Sequence, residues 1–166
     1  MNSKLKSRRE IMRLVPALKA QGKKIVTING SFDLLHVGHI RLLQEAKKQG
    51  DVLIVGLNSD SSVRKWKKRM NYKDWAKRPL NPQAYRREML SALECVDYVT
   101  IFNEPTCFKF IASVRPDVHV NGSDYGKNCI ESATVKRIGA RLHIVELHKG
   151  FSTSSLIKKI LEVYNK

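Results

Sequence analysis

Acidic residues are scarce in this chain. It has 15 Asp and Glu against 31 Lys and Arg, a formal charge of +16 on 166 residues. That surplus points to an anionic partner, such as nucleic acid, a phosphorylated small molecule or an acidic surface. Cysteine is sparse too. Cys95, Cys107 and Cys129 are odd in number and show no CxxC spacing, which excludes a disulfide scaffold or zinc ribbon and suits a reducing compartment. No apolar run approaches the roughly 18 residues of a membrane span. The basic segment Met1–Gln21 lacks the unbroken apolar stretch and small-residue cleavage site of a secretory signal. A cytoplasmic protein with no membrane partner is expected. Aromatics make up 7% of the chain, and Trp66 and Trp75 form no evident stacking platform, which weighs against nucleic-acid binding despite the charge. What is plentiful is apolar content, 42% of residues, enough for one core without covalent staples.

The apolar residues follow recognisable periods. From Arg8 to Ala20, Ile11, Leu14, Val15 and Leu18 recur at helical spacing, with Gly22 placed to end the helix and Pro16 predicting a kink or break. Lys24–Asn29 and Asp51–Asn58 read as buried strands, and Val37–Gln49 between them as a helix. Strand, helix and strand with tight connections predict a right-handed βαβ unit. A basic helix over 61–68, capped by Ser59-Asp60, follows, then a helix with Asn81 as N-cap and Pro82 at its first position, running to about Glu94. Beyond it come a strand Asp97–Phe102, a helix Thr106–Val114, strands Val118–Asn121 and Arg141–Leu147, and a last helix Ser152–Tyr164. The predicted fold class is α/β: a Rossmann-like, doubly wound, mostly parallel five-stranded sheet with helices on both faces. The expected organisation is a basic N-terminal helix in residues 1–22 packed on one domain, residues 23–166.

Open α/β sheets bind ligands at the carboxyl ends of their strands. The loop after the first strand runs from Asn29 and Gly30 through Ser31, Phe32 and Asp33 to His36, Gly38 and His39. Two histidines three apart at a helix start face one side, beside free backbone N–H groups and the positive end of the dipole. An anion there meets amides and imidazoles, with no side-chain bulk at Gly30 or Gly38. A lone histidine reads as an ordinary helix-entry residue; a pair at this spacing on this loop reads as a site. Ser152, Thr153, Ser154 and Ser155 open the last helix. One hydroxyl suffices for an N-cap, whereas four also make a phosphate cradle, and spacing alone leaves both readings open. Residues 62–87, dense in Lys and Arg, are either a solvated face or a phosphate-binding surface. Val120–Tyr125 is either a Gly/Asp turn or a ligand loop.

The stretch GSFDLLHVGH resembles the HxGH signature of the nucleotidyltransferase superfamily, which includes cytidylyltransferases and several adenylyltransferases. In that family the two histidines contact nucleotide phosphates and stabilise the charge that builds as an attacking phosphate displaces pyrophosphate. The resemblance is closest to the D-glycero-β-D-manno-heptose 1-phosphate adenylyltransferases, which make ADP-heptose for bacterial lipopolysaccharide. It runs through VGLNSD, RPLNP, ALECVDYVTIFNEPT and RPDVHVNGSDY to GFSTSSLIKKI.

This resemblance implies that His36, His39 and Lys67 are catalytic, and that Lys67 and Arg86 hold the phosphate of the second substrate. It implies nucleotide binding by Gly30, Ser31, Phe32, Gly38 and His39, by Asn121, Gly122 and Asp124, and by Ser152, Thr153 and Ser154. No residue is assigned to a metal; Mg2+ enters with ATP. The implied reaction is nucleotidyl transfer from ATP to a sugar 1-phosphate, giving ADP-sugar and pyrophosphate. The alternatives are a cytidylyltransferase acting on glycerol 3-phosphate or a related alcohol phosphate, and a basic nucleic-acid-binding domain. In many relatives this unit is fused behind a sugar kinase; here a separate protein is expected to supply the sugar phosphate. Dimers are common among relatives, so a homodimer is a candidate state. Ser31 stands where the family commonly has Cys, and Asn121 where it commonly has Lys. Met70–Lys77 is longer than the corresponding segment of the family.

Overall fold

The β-branched run Ile25–Gly30 (β1) and the apolar run Val52–Asn58 (β2) pair in parallel, with Ile25 opposite Val52 and Gly30 opposite Leu57. Tyr98–Phe102 (β3), Val118–Gly122 (β4) and Arg141–Val145 (β5) complete a sheet of order β3-β2-β1-β4-β5. All its pairings are parallel. The chain adds β2 and β3 on one side of β1 and then returns to add β4 and β5 on the other. That reversal opens a crevice at the carboxyl ends of β1 and β4. The computed structural model describes residues 3–123, 126, 129–146 and 152–164.

Seven helices accompany the sheet among the described residues: α1 (Arg8–Ala20), α2 (Val37–Lys47), α3 (Asp60–Arg69), α4 (Gln83–Ser91), α5 (Phe108–Val114), α6 (Ser132–Arg137) and α7 (Thr153–Tyr164). Side chains alternate across β1, so the sheet has a core on each face. Val26 and Ile28 pack with Leu43 and Ala46 of α2 and Leu90 of α4. Ile25 packs on the opposite face with Ile11 and Val15 of α1, Phe110 and Ile111 of α5, and Val135 of α6. Gly56 in β2 makes room for that second core: a Cβ there would sit 2.5 Å from the Phe110 ring. In the same region Thr27 Oγ1 and His119 Nδ1 lie 2.8 Å apart across β1 and β4. Burial pushes fully buried His119 down to about 3.

Three local expectations change. α1 runs unbroken through Pro16. The hydrogen bond that proline removes is the one to the Met12 carbonyl, and both residues are exposed, which leaves that carbonyl accessible to solvent. α4 begins one residue later than predicted, with Pro82 as N-cap. Asn81 is occupied instead by a tertiary contact, donating from Nδ2 to the Asp33 carbonyl at 2.7 Å. α6 has only six residues, too short for its apolar spacing to register. At the other end of the chain, α7 buries none of its residues. No helix among the described residues is long and apolar enough to cross a membrane.

Candidate active site

β1 ends at Gly30, where a Cβ would lie 3.0 Å from the Phe32 ring. The chain then turns through Phe32 at φ 44°, a left-handed conformation that a bulky residue seldom adopts. Tertiary contacts hold it there. Phe32 is buried in the core, and the carboxylate of buried Asp33 accepts from Arg78 Nε at 2.7 Å, Leu80 N at 2.7 Å and Asn81 N at 3.0 Å. A buried carboxylate needs a compensating charge; Arg78 supplies it and fastens its own segment to the loop.

His36 is the N-cap of α2, in extended backbone, and makes no side-chain capping bond. The His39 amide donates to the His36 carbonyl at 2.9 Å. The two imidazoles stack with centroids 3.8 Å apart and planes at 21°, and the Phe32 ring lies 5.2 Å from His39. Burial first, and then the neighbouring His36, push His39 down to about 4. Burial lowers His36 as well. Both rings are therefore neutral at pH 7. Nδ1 of each, and Oδ1 of Asn29, are buried without a hydrogen-bond partner among the described residues. Such atoms are rare in a finished structure, and here they cluster beside a cleft.

That cleft has a volume of about 580 Å3 and opens at the carboxyl ends of β1 and β4. Gly30, Ser31, Phe32 and Gly38 line it from one side, and Asn121 and Gly122 from the other. Ser152 and Thr153 reach the same cleft from the start of α7, so two helix beginnings far apart in the chain face one space. Ser152 also caps α7, its Oγ accepting from Ser155 N at 3.0 Å. Ser154 does not join them; it lines a neighbouring groove with Asp74, Arg78 and Ile157. Asp124 lies outside the described residues. Arg41, His143 and Glu146 also line the cleft. His143 sits on β5, and only the strand order reveals that it belongs here.

Lys67 and Arg86 are not equivalent. Lys67 Nζ lies 3.9 Å over the Tyr72 ring, and burial, then the Arg78 charge, lowers its pKa. It lines a second cavity of about 140 Å3, which shares Asn29, Gly30, Ser31 and Asn121 with the larger cleft. Arg86 is 0% exposed and lines neither space. Nε donates to the Asn81 carbonyl at 2.9 Å, Nη1 to the Ser31 carbonyl, and Nη2 to Asp60 Oδ1 at 2.7 Å. Direct contact with a substrate phosphate does not fit that burial, because all three nitrogens are engaged by protein. Arg86 is instead a strut between the loop after β1 and the starts of α3 and α4. Asp60 ties those two helices further, accepting from Gln83 N at 2.8 Å while its own N–H donates to Gln83 Oε1 at 3.0 Å. Asp33 and Asp60 were not singled out from sequence. The readable signal for Asp33 was its place in the loop between β1 and the histidine pair; Asp60 looked only like part of a helix cap.

No three His, Cys, Asp or Glu side chains converge to hold a metal among the described residues.

The buried histidines make stability depend on pH. An unfolded histidine titrates near 6.5, whereas His39 is held at about 4 and His119 at about 3. Below pH 6.5 the unfolded chain binds more protons, so stability present above that pH is lost as pH falls toward the folded values. Urea unfolding at pH 7 and pH 5 is expected to differ by about 2 kcal/mol for each of these two residues. His119→Gln is expected to remove about half of that difference; an unchanged pH dependence in this variant would contradict the assignment.

A sequence model of the family described as cytidylyltransferase-like matches residues 27–159. The bifunctional protein HldE of Geobacter metallireducens is 45% identical over 169 residues, covering 98% of this chain and 32% of that protein. The bifunctional protein HldE of Wolinella succinogenes is 45% identical over 155 residues, 93% of this chain and 30% of that one. The chain thus spans about a third of the length of these curated relatives. Among solved structures, the lipopolysaccharide core biosynthesis protein from Thermoplasma volcanium is 31% identical, with a TM-score of 0.58 over 77% of this chain and 98% of that one. Pantoate-beta-alanine ligase from Francisella tularensis, 19% identical with a TM-score of 0.69 over 93% of this chain and 72% of that one, shares the fold. The matched span starts within β1 and takes in both helix beginnings that wall the cleft, and the chain belongs to the cytidylyltransferase-like family.

Proposed function

We propose that this chain transfers an adenylyl group from ATP to a sugar 1-phosphate, with D-glycero-β-D-manno-heptose 1-phosphate as the acceptor. The observation that carries the reading is the stacked His36–His39 pair facing Ser152 and Thr153 across one cleft. The identity to a protein of lipopolysaccharide core biosynthesis supports a sugar acceptor over an alcohol phosphate.

ATP lies along the cleft, its triphosphate between the starts of α2 and α7. An oxygen of the acceptor phosphate attacks the α-phosphorus; a new P–O bond forms, the α–β bridging bond breaks, and pyrophosphate leaves with the electron pair. A phosphate dianion is already nucleophilic at neutral pH, so no side chain needs to take a proton. The neutral imidazoles donate hydrogen bonds to the phosphate oxygens where charge develops, and the first turn of α2 adds its dipole. Thr153 and the Ser152 cap receive the departing phosphates. Lys67 holds the acceptor phosphate between the two cavities. Mg2+ would accompany ATP as its counter-ion.

The test is pyrophosphate release from ATP and from CTP across a panel of sugar 1-phosphates and glycerol 3-phosphate. ATP with a heptose 1-phosphate is expected to exceed CTP with glycerol 3-phosphate by about tenfold or more in kcat/KM. The reverse order would assign the chain to the cytidylyltransferase alternative. Steeply salt-dependent RNA binding without pyrophosphate release would favour the nucleic-acid reading.

A further inference from the structure

The 140 Å3 cavity beside the nucleotide cleft is walled by α3 and by residues at the starts of α5 and α6, and it is many times larger than one water requires. Its lining carries one cation, Lys67, and a set of acceptors that the protein leaves underused. Glu131 is 4% exposed. Its Oε2 accepts from Asn121 Nδ2 at 3.1 Å and its Oε1 from the Cys107 thiol at 3.4 Å. The Cys129 thiol is a third partner; all three are neutral, the two thiols are weak donors, and the carboxylate keeps acceptor capacity to spare. Asn29 lines the same cavity, and its buried Oδ1 has no partner among the described residues. Buried acceptors in this condition are costly unless something else donates to them. Hydroxyl groups can donate; a phosphate dianion cannot, and it is left to Lys67.

We propose that Glu131, held by Asn121, is a specificity-determining residue: with Asn29 it accepts hydrogen bonds from the hydroxyls of the acceptor, which makes this cavity the seat of the sugar ring. The inference rests on the adenylyl-transfer reading and adds how a polyhydroxylated acceptor is told from a barer one. Asn121 has a defined part in it. The amide orients Glu131 while leaving its lone pairs free, whereas a lysine at this position would pair with the carboxylate and consume it.

The experiment is steady-state kinetics on the full chain with ATP and D-glycero-β-D-manno-heptose 1-phosphate, beside analogues each lacking one hydroxyl. The unmodified protein is expected to lose about tenfold or more in kcat/KM on at least one deoxy analogue. Glu131→Gln is expected to raise KM for the intact acceptor about tenfold, leave KM for ATP within about twofold, and abolish the preference over that analogue, and Asn121→Lys is expected to abolish the same preference. Thermal melts check folding, and the analogue series on the unmodified protein needs no variant. Equal use of every deoxy analogue, or full discrimination retained by Glu131→Gln, would overturn the inference. Absence of pyrophosphate release with any sugar phosphate is a different outcome, which overturns the adenylyl-transfer reading and this inference with it.

Discussion

Replacing His39 with alanine is expected to lower turnover by about a hundredfold or more while changing KM for ATP much less. The reason is where the ring sits and what it is. It is half-buried, packed beside Phe32 and stacked on His36 at 3.8 Å, so it cannot turn away from the cleft without disrupting two ring contacts. With a pKa of about 4 it is a neutral donor at working pH. A neutral donor fixed in place gains most when charge develops opposite it, which is a transition-state effect rather than a binding effect. Near-normal kcat in His39→Ala would remove His39 from the mechanism. An NMR titration offers an independent check: the His39 imidazole should stay in its neutral form from pH 8 down to about 5.5. Titration near 6.5 would mean that the ring is solvated, and that the protonated form competes for the same role.

The second large effect belongs to a residue outside the cleft. Arg86→Ala is expected to cost about 3 kcal/mol of folding stability. Its removal strands the Ser31 and Asn81 carbonyls and leaves Asp60 without its cation. The figure sits at the low end for a broken buried pair because Asp60 is 28% exposed and can be partly solvated. Activity should fall in parallel, since Ser31 lines both cavities and loses the group that fixes its carbonyl. Chemical denaturation together with acceptor kinetics separates two roles. A strut gives lower stability and reduced kcat that excess acceptor does not restore. A phosphate ligand gives unchanged stability and a raised acceptor KM, and that result would return Arg86 to the substrate site.

Much of this molecule was readable from residue order. Buried strands such as Val52–Asn58 announce themselves because a strand covered on both faces has to be apolar nearly throughout. The histidine loop announces itself because an anion site at a helix start needs small residues and donors at fixed offsets. Ser59 capped its helix as predicted, its Oγ accepting from Ser62 N. Asn81 did not, because Asp33 offered it stronger partners from 48 residues away. The hydroxyl cluster shows the boundary plainly. Sequence presents Ser152, Thr153 and Ser154 as one group, yet successive residues on a helix point in different directions, and Ser154 lines another groove.

Sequence by itself determined the alternation of strands and helices, the histidine loop that opens on the cleft and the sign of the net charge. Those are local patterns, set by periodicity, by backbone donors at helix ends and by composition. Tertiary structure alone decided that Arg86 is spent on protein, that Arg78 neutralises Asp33 within the loop, and that Glu131 reaches Asn121 in the wall of a second cavity. A side chain's chemistry is written in its identity, but whether its donors and acceptors remain available depends on which partners the fold brings within about 3 Å of them.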